Sequence, residues 1–171
     1  MKKIFILVLT SVLCVNVFAQ KGDKTIGLNL GYGANTSNPL IGVRGTYNLT
    51  DYVTVIPSIN HFVKYENVSG LETNMDFTYF FQTPKVPDLY FYPLVGLNYT
   101  YIHFDEKLRY DYSYLIHSNE FKKNNHRIAA NIGLGFSCFY YDSLILGVEF
   151  KYVATTTFYQ PVILFNISKA F

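Results

Sequence analysis

Pro161-Val162-Ile163-Leu164-Phe165-Asn166-Ile167-Ser168-Lys169-Ala170-Phe171 closes the chain and decides how the rest of it is read. Ile163, Phe165, Ile167, Lys169 and Phe171 form one alternate set, and Leu164, Asn166, Ser168 and Ala170 form the other. A period of two makes a β-strand with one greasy face and one mostly small or polar face. The alternation runs into an aromatic carboxyl terminus, where a final strand in a soluble domain usually gives way to a short polar tail.

Working back from this strand, the same period recurs seven times. Thr25–Gly33 sets Ile26, Leu28, Leu30 and Tyr32 against Thr25, Gly27, Asn29, Gly31 and Gly33. Leu40–Leu49 sets Ile41, Val43, Tyr47 and Leu49 against Gly42, Arg44, Thr46 and Asn48. Val53–Tyr65, Thr73–Thr83, Tyr90–His103, His126–Cys138 and Leu144–Val153 follow, with Pro57 inside the first of these an unusual residue for a central strand. Turn-forming residues separate the segments, and residues 66–72 read as a loop. The expectation is eight antiparallel strands joined by hairpins, with no helical period after residue 19. Strands of about ten residues tilted near 40° rise roughly 25 Å, the height of an outer-membrane apolar band. The connectors after strands one, three, five and seven read as the longer ones, which would place them outside the cell.

Alternation alone does not say which face meets solvent, since a secreted lipocalin-like barrel has the same period with its apolar residues inside. Residue type separates the two. The polar face is Gly, Asn, Thr and Ser with few charges, which suits a crowded lumen, whereas a water-facing wall would carry Lys and Glu. Aromatics also mark two levels of the apolar face: Tyr32, Tyr65, Tyr101 and Tyr152 at one end, and Tyr47, Phe81, Phe136 and Phe171, with Phe91, at the other. Such bands are the interfacial girdles of a membrane barrel. Composition agrees. Half of the 171 residues are hydrophobic and 15% are charged, too few charges to clothe a soluble surface against a norm of about 25%. A net charge of +2 gives no basis for nucleic-acid binding.

Residues 1–19 read as a cleavable secretory signal. Lys2 and Lys3 precede the apolar stretch Ile4–Phe18, and Val17-Phe18-Ala19 offers a small-residue cleavage site before Gln20. The stretch is short of the ~20 residues that a spanning helix needs, and Val12-Leu13 before Cys14 does not suit lipid attachment. Once the signal is removed, Cys138 is the single remaining thiol. The expected layout is therefore a signal at 1–19 and a barrel over 20–171.

These features together resemble the small eight-stranded outer-membrane β-barrels of the OmpX and OmpA-transmembrane-domain type, the porin-family barrel domain. The residues that carry the resemblance are the Ala19-Gln20 junction, Gly27-Leu28-Asn29-Leu30-Gly31-Tyr32-Gly33, Val95-Gly96-Leu97-Asn98-Tyr99, Asn131-Ile132-Gly133-Leu134-Gly135 and the closing Phe171. The resemblance implies an integral protein of the Gram-negative outer membrane. Its partners would be outer-membrane lipid, lipopolysaccharide and the barrel-assembly machinery, with Phe171 as the assembly signal. The motifs describe a wall and imply no particular activity.

Within the wall, Arg44, Asp76, Glu149 and Lys151 fall on the lumen face, with Lys64 and Arg127 nearer the outer rim. Eight strands leave an interior that side chains can just fill, so these charges are expected to pair across the axis and plug it. A narrow pore for small ions or solutes is the alternative. His117-Ser118-Asn119, with Glu120, is similar to the His-x-Ser-Asn motif of a lipid A-deacylating barrel, but the intervening residue is absent and the segment lies in a loop. We expect no catalytic residue and no cofactor. His103, His117 and His126 are too widely spaced to argue for a metal. The 104–125 connector, where charges of both signs interleave with Tyr110, Tyr112 and Tyr114, is the surface best suited to an extracellular ligand.

Overall fold

The computed structural model describes residues 21–35, 37–65, 68–83, 86–104, 124–140, 143–154 and 159–171, apart from the side chains of 64, 65, 68, 82, 83, 86, 87, 104, 124 and 125. The expected signal at 1–19, most of the 104–125 connector and the segment from His117 to Glu120 lie outside the described residues, as do the side chains of Lys64 and Tyr65. Nine strand segments follow in order: β1 (Lys24–Gly33), β2 (Asn38–Asn48), β3 (Val53–Tyr65), β4 (Val68–Tyr79), β5 (Phe81–Thr83), β6 (Val86–Phe104), β7 (Asn124–Tyr140), β8 (Leu144–Ala154) and β9 (Tyr159–Ala170). β4 and β5 are one wall strand interrupted at Phe80, because both pair with β6. The wall therefore has eight strands.

Every pairing is antiparallel, and two of them close the cylinder. β1 pairs β9 from Thr25↔Ala170 to Gly33↔Val162, and β4 pairs β6 from Val68↔Phe104 to Thr78↔Leu94. Among the described residues the wall has no open seam between its long strands, which is the condition for a strand structure to stand in hydrocarbon. Pro57 is tolerated at a local interruption. The β2–β3 pairing steps from Arg44↔Ser58 to Tyr47↔Val55, and Gly45 beside the Pro57 ring leaves room where the ring has no N–H to donate.

The period-two pattern sorts the side chains by chemistry. Leu28, Leu30, Val43, Ile59, Met75, Leu97, Ile132 and Phe165 point outward and are exposed, while Asn29, Asn60, Asn74, Asn98 and Asn131 point inward and are buried. A lipocalin-like barrel would have these faces reversed. Exposed large apolar residues are carried by every long strand of the cylinder, a surface that suits lipid better than water. Around the end where β1 begins and β9 ends (the lower end), stacked or tilted rings run Tyr52–Tyr79–Phe81–Phe91–Phe136 at centroid spacings of 4.8–6.3 Å. At the upper end Tyr152 stacks on Tyr159 at 5.8 Å. No helix among the described residues is long and apolar enough to cross a membrane.

Two expectations need correction. Residues 68–72 are not loop: β4 begins at Val68, because Gly70 and Glu72 continue the inward set and Leu71 the outward one. The connectors consequently do not alternate in length. Those between β1 and β2, β3 and β4, and β8 and β9 are as short as those at the lower end, and only the one between β6 and β7 is long. Strands that run further than turn-forming residues suggest take up the missing loop length, as the 19 residues of β6 show.

Candidate functional site

The barrel interior is the one place where chemistry-bearing side chains converge among the described residues. β2, β4 and β8 deliver Arg44, Asp76, Glu149 and Lys151 to a common level, all buried. Arg44 Nη2 lies 2.7 Å from Glu149 Oε1. Lys151 Nζ bonds Asp76 Oδ2 and lies 3.4 Å from Glu149 Oε2. Two cations and two carboxylates thus form a neutral square, the arrangement in which buried charge is tolerable.

Three further residues, Tyr92, Asn131 and Glu72, extend this square into a network. Tyr92, fully buried on β6, donates its hydroxyl to Glu149 Oε1 at 2.8 Å. It reaches there because Gly135 lies against the ring, where a Cβ would collide with it. Asn131 Nδ2 donates to Asp76 Oδ1 at 2.7 Å and to Asn74 Oδ1 at 2.8 Å. Glu72, hidden by the loop reading, is buried on β4 and accepts from Asn60 at 3.1 Å and Asn74 at 2.6 Å. With Asn98 Nδ2 donating to Asn74 Oδ1 at 2.7 Å and Asn29 Nδ2 to Asn60 Oδ1 at 3.0 Å, the bonds run unbroken from β1 to β8. Inward Asn residues recur on most strands, a pattern visible in the sequence; their mutual bonding depends on the shear of the barrel.

Above this polar level the lumen changes character. Leu40, Phe62, Ala129, Val153, Val162 and Leu164 form a buried apolar cluster, with Leu164 fully covered. The expected Gly, Asn, Thr and Ser lining therefore holds for the middle of the barrel, while in the upper part this apolar cluster stands beside buried Asn38 and Gln160. The inward positions of β8 and β9 there include Val153, Val162 and Leu164, side chains that pack against Phe62 without needing partners. Arg127 lies half-buried on the inward face of β7.

Below the polar level a cavity of about 80 Å³ opens toward the lower end. Phe80, Tyr90 and Phe139 wall it, and Arg44 and Tyr92 stand at its inner limit. His126 and His103 lie on the outer face instead, His126 Nδ1 sharing a 2.7 Å hydrogen bond with the Tyr99 hydroxyl. Among the described residues no group of three or more His, Cys, Asp or Glu is placed to hold a metal.

Phe171 points outward at the lower rim and is 43% exposed, next to Lys24, whose carbonyl accepts its N–H. Asn166 and Ser168 face the lumen, as the closing alternation requires. Lys169 takes an outward position by register, opposite Ile26 and Leu144, but is only 9% exposed. Its stem lies covered by neighbouring side chains instead of standing out in the lipid.

No protein-family model and no curated protein matches the sequence. Solved structures do. The N-terminal β-barrel domain of Pseudomonas aeruginosa OprF superposes with a TM-score of 0.71 at 20% identity, covering 89% of this chain and 98% of that one. Neisserial surface protein A (NspA) gives 0.56 at 10% identity over 87% and 95%, and the attachment invasion locus protein Ail of Yersinia pestis gives 0.52 at 11% over 89% and 100%. At these identities the likeness is one of fold. The chain shares the fold of these small outer-membrane proteins, a closed eight-stranded antiparallel β-barrel.

Proposed function

We propose that this is an integral protein of the Gram-negative outer membrane whose lumen is closed and whose role is structural or surface-interacting. The carrying observation is the pairing of two seals in one lumen, the Arg44–Glu149–Lys151–Asp76 square and the apolar cluster around Leu164 above it. A hydrated ion would have to break the first and desolvate at the second. On this reading residues 1–19 are a cleaved export signal, Phe171 is read by the barrel-assembly machinery, and the outer wall contacts lipid and lipopolysaccharide. The reading assigns no catalytic chemistry and no cofactor.

The 104–125 connector is the surface proposed to meet an extracellular partner. Ail has been crystallised with the heparin analogue sucrose octasulfate. Lys107, Arg109, Lys122 and Lys123 supply cations in this chain that would suit a sulfated saccharide, and the interleaved tyrosines supply stacking faces. Two measurements test the proposal. The reconstituted barrel in a planar bilayer is expected to pass little or no current, and a wide, steady conductance overturns the closed lumen. Sucrose octasulfate is expected to bind the full protein and not a variant with 105–123 replaced by a short Gly-Ser turn; equal binding by both overturns the role of the connector.

A further inference from the structure

We propose that the upper rim of the outer wall carries a recognition site for the phosphate headgroup of a lipid, built from His126 and His103 with Tyr99 and Tyr101. The site rests on the reading of the outer wall as the face toward lipid, and it names the headgroup that this face selects. β6 and β7 place the four side chains together on the outside. Tyr101 is paired with His126, Tyr99 stands one outward position below it and His103 one above. His126 Nδ1 shares a 2.7 Å hydrogen bond with the Tyr99 hydroxyl, and its ring lies 5.0 Å from the Tyr101 ring, centroid to centroid. The wall thus engages Nδ1 and holds the ring, and Nε2 is the nitrogen left to meet a ligand.

The surroundings decide the sign of the ligand. Histidine takes up a proton within the physiological pH range, and both ring nitrogens are then donors. Nδ1–H can donate to the Tyr99 oxygen, so the bond that orients the ring survives protonation while Nε2–H faces outward. His103 is a diagonal neighbour of His126 across the β6–β7 pairing, within reach of the same ligand. Around them, Tyr99 and Tyr101 on β6, with Ser69 and Thr73 on β4, are the polar outward groups. β7 pairs with β8 only from Ala130↔Ala154 onward, so no described residue of β8 flanks His126. Among the described outward side chains of β3, β4, β6 and β7 at this end there is no Lys, Arg, Asp or Glu. A positive charge formed here meets no carboxylate of the wall and draws an anion.

What lies below the site makes that anion an amphiphile. Ile128, the next outward residue of β7, is paired with Tyr99 and is 77% exposed, and Leu97 below Tyr99 is exposed as well. A molecule whose chains lie against Ile128 and Leu97 brings its head to His126, at the level where tyrosines meet headgroups. Phosphate accepts through oxygens disposed tetrahedrally, so it can meet His126 and His103 on two rungs of the wall, where the planar fork of a carboxylate serves one. His61 marks the contrast. It is exposed on β3 at the same level, but the residues paired with it are Ile41 and Leu71. It has neither a tyrosine to hold its ring nor a second histidine on the neighbouring strands.

The test uses the full folded barrel in maltoside micelles, with bound lipid counted by native mass spectrometry. The probe is phosphatidylglycerol, compared at about pH 5.5 and about pH 8, between which histidine changes charge and a phosphodiester does not. Binding is expected to be about tenfold tighter at the lower pH, the value of a hydrogen bond to a charged group. His126→Gln should remove most of that gain. Tyr99→Phe, which frees the ring, should weaken binding about threefold and keep the pH dependence. His61→Gln should change neither. Diacylglycerol, which has the tails and no phosphate, should bind weakly and equally at both pH values. Oleate held as tightly as phosphatidylglycerol overturns the assignment to phosphate. A heat-modifiable, folded barrel that prefers phosphatidylglycerol no more than diacylglycerol, or in which His126→Gln and His61→Gln behave alike, overturns the site. Failure of the barrel to insert into lipid vesicles is a separate result, and it overturns the lipid-facing wall on which the site rests.

Discussion

The Tyr92 ring lies against Gly135 on the neighbouring strand, and the missing side chain there is what lets the Tyr92 hydroxyl reach Glu149 Oε1 at 2.8 Å. A glycine on β7 thus sets the geometry of an ion network whose charges come from β2, β4 and β8. Gly135→Ala should push the ring away and destabilise the barrel by about 1–3 kcal/mol through overpacking. Tyr92→Phe, which keeps the ring and removes the hydroxyl, should cost about 1–2 kcal/mol. Urea unfolding in lipid vesicles measures both. A neutral Gly135→Ala would mean that the ring has room to spare.

Glu149 is the shared partner of both lumen cations, so Glu149→Gln should be the most damaging change in the interior. Removing one member of a buried pair costs about 3–5 kcal/mol. The loss falls mainly on Arg44, because Lys151 keeps Asp76. Unpairing these charges by itself should raise conductance only slightly, since the cluster of Leu40, Phe62 and Leu164 still closes the upper lumen. Combining Glu149→Gln with Phe62→Ala should give clear single-channel events in a planar bilayer. Wide channels from Glu149→Gln alone would show that the apolar cluster is no seal.

The outer face supplies a test of the membrane itself. Leu97 is 66% exposed near the middle of β6. Leu97→Arg should cost about 2–4 kcal/mol in a bilayer, and Leu49→Arg, just past the lower end of β2, about 0–1 kcal/mol. In a water-facing wall both would be near neutral. Unfolding midpoints of the two variants in vesicles decide the matter.

Phe171 touches the wall only at its rim, so its deletion should act on the route to the barrel more than on the finished barrel. Pulse-chase conversion to the heat-modifiable form should slow severalfold, while the urea midpoint of barrels already folded should move by less than about 1 kcal/mol. The reverse pattern, normal assembly with a large loss of stability, would make Phe171 a packing residue.

Much of this barrel was legible in the residues alone. Alternation determines which side chains share a face, because successive residues of a strand point to opposite sides whatever the strand pairs with. That was enough to put Leu28, Leu97 and Phe165 outside, to put Asn29, Asn98 and Asn166 inside, and to orient Phe171. It could not mark where β4 begins. Gly70 and Glu72 fit a loop by residue type, and only their pairing with Ile102 and Thr100 shows them to be wall. Nor could alternation say which inward residues meet across the lumen. Arg44 and Glu149 are 105 positions apart in the chain, and Tyr92 reaches Glu149 from a third strand. Those contacts are set by the register of eight closed strands, and so are the apolar seal above them and the cavity below. Register is a property of every pairing at once, and no single stretch of sequence carries it.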